Sequence, residues 1–433
     1  MKRLKPFHFL PPFLVIVAGC GEDLTEPVPP ETPPEPPPTV EEILLSELVT
    51  PDPLGFARLT AHIEVRTEIP VSLRIRVVGI HGPESDVSHH FPALGTFHQI
   101  PVLGLYPDHE NTVELTFIDD QDRELGTRSY MIQTQPLSSH MPAIRIDRSV
   151  SSEMAPGMTL VSYYGNDGDP RPHRPFIFDR YGDIRWVLNY ENHVELGELD
   201  FDNGVERLAN GNLYFADQET DKIYEIDMTG RILNTWTMPG FGFHHQVLEE
   251  PDGNFLVSVD NEGISTIEDH VIEIERNTGA IINVWDLRQS LDRFRRTWSD
   301  READWLHVNA VDYDERDDTI LVSGRHQGLV KLTADNEVVW ILAPHRGWGT
   351  AGNGTELTQF LLQPLDAQGQ PITDPAILSG DVNHSDFEWN WYQHAPLLTP
   401  SGSVMMFDNG DNRNYTLAMR YSRAVEYDID PEE

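Results

Sequence analysis

The sequence predicts an all-β protein in which an immunoglobulin-like β-sandwich is followed by a β-propeller. Apolar residues alternate with polar ones in the first part of the chain, and a longer repeat closed by tryptophan begins after about residue 155. We assign residues 42–138 to the sandwich and residues 150–433 to the propeller. The propeller is expected to have six blades in the complete protein.

The sandwich prediction depends on a period of two in apolar residues. Leu59, Ala61, Ile63 and Val65 alternate with polar positions, and two later runs around residues 73–77 and 113–117 do the same. Side chains on a strand point alternately to the two faces of its sheet, so each run predicts a half-buried strand. Several short strands within ~95 residues are typical of an immunoglobulin-like sandwich.

The propeller prediction depends on four tryptophans, each of which ends a turn and a strand. They are Trp186, Trp236, Trp285 and Trp340, and each follows a Gly or Asn turn. Their spacing of about 50 residues, together with a second strand after another Gly or Asp turn in each unit, is typical of four-stranded propeller blades. Hairpins of a second sandwich are the alternative interpretation.

The last repeat ends early in this sequence. Residues 424–430 resemble residues 222–227, yet no turn and tryptophan strand follow before Glu433. Because an open propeller would expose unpaired strand edges, we expect one or more C-terminal blades to be missing here.

The N-terminus predicts export. Residues 1–20 begin with three basic residues, continue through an apolar stretch and end in Val-Ala-Gly-Cys20, the pattern of a lipoprotein signal peptide. Cys20 would then be the lipidated first residue of an exported, periplasmic or cell-surface lipoprotein; a stray thiol is the alternative. Residues 21–41 are rich in proline and predict an extended linker that gives the protein membrane contact through its lipid anchor.

The charge balance excludes some partners. The 433 residues contain 31 Lys and Arg against 71 Asp and Glu, for a net charge of -40. A phosphate backbone would be repelled, so no nucleic-acid partner is expected. An anionic substrate would need a local cluster of cationic side chains.

Such a cluster is predicted by polar residues near the starts of the repeated strands. His245 and His394 occupy the same place in two repeats, and His244 precedes the first of them. His307 and Arg325 belong to two further segments of this kind. Because propeller strands that begin near the axis direct side chains to a common channel, we expect these residues to meet; for each one alone, a structural role is the alternative.

A metal site is the other chemistry that several histidines suggest. Zinc would require carboxylate or thiol ligands beside the imidazoles, and none lies near these histidines in the sequence. We therefore expect neither a metal nor another cofactor.

Taken together, the motifs resemble the bacterial arylsulfotransferase, or aryl-sulfate sulfotransferase, family. The pieces are the His244-His245 pair, His307-x-Asn, Arg325 eighteen residues after His307, and Gln-His394 before Phe-Asp-Asn-Gly. The resemblance covers about residues 45–430. It implies transfer of a sulfuryl group from a phenolic sulfate ester to a phenolic acceptor through a sulfated histidine, without a nucleotide sulfate donor.

The resemblance also implies the role of each residue. His394 would be the nucleophile, and His245, His307 and Arg325 would bind the sulfate, with His244 replacing His245 if the register is off by one. A loose transition state with charge on its outer oxygens would suit these cationic groups. A non-catalytic cell-surface binding propeller is the alternative function, and a homodimer stays open.

Overall fold

The computed structural model describes residues 37–165, 171–202, 204–297, 302–418 and 421–430. Nearly all regular structure in these ranges is β-strand, and the α-helices are single turns: α1 (Val40–Ile43), α2 (Leu287–Ser290) and α3 (Pro375–Leu378). No helix within the described ranges has the length and apolar character needed to cross a membrane. The predicted signal peptide, Cys20 and most of the proline-rich linker lie outside the described residues.

The N-terminal domain is an immunoglobulin-like sandwich built from five antiparallel strands. They are β1 (Leu44–Pro51), β2 (Ala61–Val77), β3 (Val87–Val102), β4 (Glu110–Ile118) and β5 (Glu124–Gln133). The register of β2 on β3 shifts between Arg66 and Val71. The first half of β2 pairs with β1 and the end of β3, whereas its second half pairs with the start of β3 and with β4.

Both halves of β2 bury their apolar side chains in the same core. Ile63 and Val65 from the first half and Leu73 and Ile75 from the second half belong to one buried cluster. Each alternates with a more exposed polar neighbour, as the period of two predicted. The long strands therefore supply both layers of the sandwich.

The sandwich packs directly on the first sheet of the second domain. Phe176 and Ile184 of that sheet are buried in the sandwich core. The fully buried Arg185 donates from Nε and Nη2 to the Gly104 carbonyl at 2.9 and 2.7 Å, and its guanidinium lies 3.7 Å from the centre of the Tyr106 ring. A buried cation bonded in this way fixes the two domains together.

The second domain is a propeller of small antiparallel sheets, five of which lie in the described residues. Sheets 1 and 2 consist of β6 (Thr159–Val161), β7 (Phe176–Phe178) and β8 (Ile184–Val187), then β9 (Glu206–Arg207), β10 (Leu213–Asp217), β11 (Lys222–Ile226) and β12 (Ile232–Thr237). Sheet 3 consists of β13 (Phe241–Glu249), β14 (Phe255–Asn261), β15 (His270–Ile274) and β16 (Ile281–Asp286). Sheet 4 consists of β17 (Val308–Asp314), β18 (Thr319–Gly324), β19 (Gly328–Thr333) and β20 (Val338–Leu342). Sheet 5 consists of β21 (Gln393–Leu398), β22 (Val404–Asp408) and β23 (Arg423–Tyr427).

Hydrogen bonds join the first strands of successive sheets. The amide of Val311 in β17 donates to Oε1 of Gln246 in β13 at 2.8 Å. The amide of Leu398 in β21 donates to Oδ2 of Asp312 in β17 at 2.7 Å. These bonds bring the first strands of neighbouring sheets side by side, as in a propeller. Six blades in the complete protein stays a prediction.

The repeated tryptophans lie on the last strands of sheets 1 to 4, where the sequence predicted them. Three of the indoles donate from Nε1 to a carbonyl of the following sheet: Trp186 to Met228 at 2.6 Å, Trp236 to Arg276 at 2.7 Å, and Trp285 to Thr333 at 2.8 Å. Each ring is buried. The repeat therefore recurs because one side chain both fills its own sheet and binds the next one.

We expect Trp285→Phe to destabilise the propeller. Phenylalanine keeps an apolar ring but leaves the Thr333 carbonyl without this donor and some space unfilled, at a cost of about 1–3 kcal/mol. Calorimetric melting should show a Tm lowered by several degrees. The exposed neighbour Val284→Thr is the control and should change stability by less than ~0.5 kcal/mol. Equal melting of wild type and Trp285→Phe would contradict this account.

Candidate functional site

Irregular backbone within β13 and just before β17 and β21 turns polar side chains toward one place. His245, His307 and Tyr392 have φ angles of 59°, 58° and 53°, in the left-handed region that residues other than glycine seldom adopt. The strand register shifts around His245, directly after His307, and between His394 and Leu397. Such bulges redirect side chains and are common next to active sites.

Three of the predicted residues meet directly. Nε2 of His245 lies 3.2 Å from Nε2 of His307, and Nη1 of Arg325 lies 3.5 Å from the same His307 nitrogen. The backbone amide of Arg325 also donates to the His307 carbonyl at 2.9 Å. The arrangement gathers a guanidinium and two imidazole nitrogens around a common point, which suits an anion with several oxygens.

His394 lies beside this group but differs from it electrostatically. Burial lowers the pKa of His394 to about 4, and the nearby charges of Arg325, His245 and His307 contribute to the shift. Its Nδ1 lies 3.2 Å from the Tyr392 carbonyl oxygen and 3.1 Å from the Asn409 side-chain nitrogen. The imidazole is therefore neutral at physiological pH, with its partners at Nδ1.

The structure distinguishes His244 from its neighbour His245. His245 meets His307, whereas Nε2 of His244 lies 3.0 Å from Oε1 of Glu268. The two adjacent rings pack edge to face with their centres 4.1 Å apart. His244 thus supports the cluster from one side, and His245 is the residue in contact with the other predicted groups.

Three carboxylates that the sequence reasoning missed hold the imidazoles. Glu268 lies 2.5 Å and Asp304 lies 3.0 Å from Nδ1 of His307, while Asp202 lies 2.6 Å from Nδ1 of His245. Although burial opposes the charge, Asp304 and Glu268 raise the pKa of His307 to about 9. His307 is therefore a cation at neutral pH, next to the neutral His394.

Only one of these carboxylates left a signal in the sequence. Asp304 lies three residues before His307, so its proximity could have been considered. Glu268 precedes β15 and Asp202 precedes β9, and both reach the cluster only because the sheets are arranged around it.

Buried amides fix the strands that carry the site. Gln393 donates from Nε2 to the Gly324 carbonyl at 3.0 Å and to Oγ of Ser323 at 3.2 Å. The Gln393 carbonyl in turn accepts from Nδ2 of Asn309 at 2.9 Å. Residues adjacent to His394, Arg325 and His307 are thereby bonded to one another, which sets the spacing of the three functional side chains.

The sequence reasoning argued against zinc because it found no carboxylate or thiol ligand near these histidines, and the structure contradicts that reason. The fold brings carboxylates to the histidines, and three sets now have ligand atoms within 4.8 Å of one another: Asp202 with His244 and His245, His245 with Glu268 and His307, and Asp304 with His307 and His326. The guanidinium of Arg325 beside His307 opposes a cation there. The mixed charges fit an anion better, although the His and carboxylate groups are of the types that zinc binds.

Aromatic side chains near the cluster divide into two kinds. Tyr392 faces it, since the Arg325 guanidinium lies 5.5 Å from the ring centre and the His326 ring lies 5.3 Å away. Trp305 and Trp389 are buried in the apolar cores of the sheets. Tyr392 thus contacts the polar groups of the cluster.

The fold and the site together define a propeller enzyme whose cluster fits a tetrahedral oxyanion beside a neutral histidine. Comparison with known families agrees: residues 144–433 match the arylsulfotransferase family, and residues 48–135 match the arylsulfotransferase Ig-like domain. The chain belongs to the arylsulfotransferase family, and as such it is an aryl-sulfate sulfotransferase.

Two curated relatives carry the name arylsulfate sulfotransferase AssT. The one from Lelliottia amnigena is 29% identical over 88% of this chain and 77% of its own length. The one from Escherichia coli O6:H1 (strain CFT073) is 28% identical over the same shares. Among solved structures, virginiamycin B lyase from Staphylococcus aureus matches 83% of this chain and 90% of its own with a TM-score of 0.31 and 10% identity, a likeness too weak to support any argument.

We expect Glu268→Gln to lower the pKa of His307. The folded-state pKa of about 9 exceeds the ordinary value near 6.5, so protonated His307 stabilises the fold fully below pH ~6.5 and loses this effect as the pH rises toward 9. In the variant, this loss should be smaller and should be complete at a lower pH. Carbon-13 NMR of labelled histidine rings and melting curves across this range would measure both effects.

Glu110→Gln, an exposed change on the sandwich, is the matched control and should leave the His307 titration unaltered. An unchanged His307 pKa in Glu268→Gln would mean that this carboxylate does not hold the proton on the imidazole.

Proposed function

We propose that this site transfers a sulfuryl group from a phenolic sulfate ester to a phenolic acceptor through a sulfated His394, without a nucleotide sulfate donor. The observation that carries the proposal is a neutral imidazole, His394, beside the cationic Arg325 and His307. A nucleophile needs a free lone pair, while the sulfuryl oxygens need positive charge. The cluster supplies both at neutral pH.

The tautomer of His394 follows from its backbone partner. A carbonyl oxygen can only accept, so the bond to Tyr392 requires the proton on Nδ1 and leaves the lone pair on Nε2. The Asn409 amide can turn its oxygen to the same Nδ1–H, since amide orientation follows the hydrogen-bond network. Nε2 is therefore the attacking atom in this proposal.

The reaction then takes two balanced steps. In the first, Nε2 of His394 attacks sulfur, the bond from sulfur to the phenolic oxygen breaks, and the departing phenolate receives a proton from His307. In the second, His307 takes the proton of the acceptor phenol, whose oxygen attacks sulfur as the bond to Nε2 breaks. Arg325 and His245 would hold the sulfuryl oxygens in both steps, and His307 would join them before it gives up its proton.

We expect His394→Ala to abolish transfer. With 4-nitrophenyl sulfate as donor and phenol as acceptor, kcat should fall by a factor on the order of 10³ or more. Mass spectrometry of wild type quenched without acceptor should find one added sulfuryl group on the peptide that contains His394. Continuous nitrophenolate release without acceptor, beyond the one equivalent per site that accompanies sulfation of His394, or activity retained in His394→Ala, would overturn the proposal.

Two controls accompany this experiment. His89→Ala, on the exposed face of the sandwich, should leave turnover unchanged. Treatment with a strong chelator should also leave it unchanged; loss of activity restored by zinc would instead favour a metal at the histidine and carboxylate groups. A binding propeller without catalysis would show no turnover in any variant.

We also propose that the protein is exported and anchored by a lipid on Cys20, giving it a periplasmic or cell-surface location. The support is the order of basic, apolar and small residues before Cys20 and the proline-rich stretch after it. Cells fed labelled palmitate should incorporate the label into wild type and lose it in Cys20→Ser. Label retained in Cys20→Ser would contradict the anchor.

A further inference from the structure

Two neighbouring sheet junctions of the propeller use the same repeat positions but differ in charge. Between sheets 2 and 3, Nη1 of Arg276 lies 2.6 Å from Oε1 of Glu249, and its Nη2 lies 3.1 Å from Oε2 of Glu225. The side-chain amides of Asn210, Asn212 and Asn234 also donate to Glu225. One guanidinium therefore satisfies two carboxylates at this junction.

The strand register identifies the matching positions between sheets 3 and 4. Glu273 in β15 has the place that Glu225 has in β11, one residue before the last strand residue. Ile274 in β15 and Leu332 in β19 are equivalent, because each pairs with a residue near the start of the preceding strand. Arg276 lies two residues after Ile274, and Ala334 lies two residues after Leu332. Ala334 is therefore the counterpart of Arg276. The second junction thus has a methyl group where the first has a guanidinium.

A cavity of about 180 Å³ lies at this second junction. Its lining includes Ala334 and five carboxylates, those of Glu250, Asp252, Glu273, Glu315 and Asp318. Among the described residues, none that lines the cavity is a lysine, arginine or histidine. Five acidic groups therefore face one space with no cation from the lining side chains.

Among the lining carboxylates, Glu250 combines burial with an unsatisfied oxygen. It is 7% exposed, and its Oε2 is buried without a hydrogen-bond partner. In sheet 2, Leu208 occupies the position equivalent to that of Glu250, and Asn210 occupies the position equivalent to that of Asp252. Burial, together with the charges of Glu273, Asp252 and Asp318, raises the pKa of Glu250 to about 8. A buried, unpaired carboxylate is costly, so its occurrence at a cavity indicates a missing ligand.

We propose that this cavity binds a hydrated divalent cation of the Ca²⁺ type, which takes the role that the Arg276 guanidinium has at the preceding junction. Hard cations prefer carboxylate and water oxygens, and Ca²⁺ accepts six to eight of them in flexible geometry. At roughly 30 Å³ per water, the cavity has room for an ion with several waters bridging to the carboxylates. The site is separate from the sulfuryl site and does not depend on its function.

The proposal is tested by melting and calorimetric titration of the full chain with CaCl₂ from ~0.01 to ~10 mM. Wild type should bind one Ca²⁺ at this site, and its Tm should rise by roughly 3–6 °C near saturation. Glu250→Gln should lose most of this rise. Ala334→Arg should lose it too, while melting higher than wild type without Ca²⁺, because it restores the guanidinium; this second variant tests the site even if Glu250→Gln folds poorly.

Three controls distinguish Ca²⁺ binding in this cavity from nonspecific attraction of cations to an acidic protein. Glu110→Gln, outside the cavity, should keep the full Ca²⁺ response. NaCl at equal ionic strength should not reproduce it, and Mg²⁺ should bind more weakly because it requires stricter octahedral geometry. No saturable Ca²⁺ response in wild type, or an equal response in wild type and Ala334→Arg, would overturn the proposal.

Discussion

The bonds between carboxylates and imidazoles are what allow the cationic cluster to exist. Protonated His307 and the guanidinium of Arg325, which lie 3.5 Å apart, would repel each other if their charges were not balanced. Glu268 lies against both His244 and His307, and Asp202 and Asp304 complete the set. Burial lowers the pKa of His394, which meets a carbonyl and an amide instead of a carboxylate, whereas Asp304 and Glu268 raise the pKa of His307. The same small space thus holds a neutral and a charged imidazole.

Hydrogen bonds between the sheets of the propeller fix the positions of these charged and neutral side chains. Hydrogen bonds of the side-chain amides of Gln393 and Asn309 connect β21 with β18 and β17, and indole hydrogen bonds connect last strands to the following sheet. Such contacts fix neighbouring sheets at both the inner and the outer side. The junction around Glu250 also has these hydrogen bonds, but its carboxylates face a cavity rather than a guanidinium. The junction between sheets 3 and 4 thus combines these hydrogen bonds with a cavity whose lining carboxylates have no cation among the described lining residues.

Much of the fold could be predicted because its causes are local. Alternating residues such as Ile63 and Val65 must place one face inward, and the spacing of Trp236 and Trp285 repeats because each indole serves the same position in its sheet. The shared register of His245 and His394 was visible for the same reason. The zinc argument was wrong in its reason because distance along the chain does not measure distance between sheets.

The sequence alone determined the two β architectures, the repeat and the residue types available for chemistry. Only the tertiary structure decided their electrostatic state. It brought Glu268 from another sheet to His307, separated the contacts of His245 from those of His244, and buried His394. The physical reason is that a pKa depends on burial and on charges within a few ångströms, and those neighbours come from segments that are far apart in the chain.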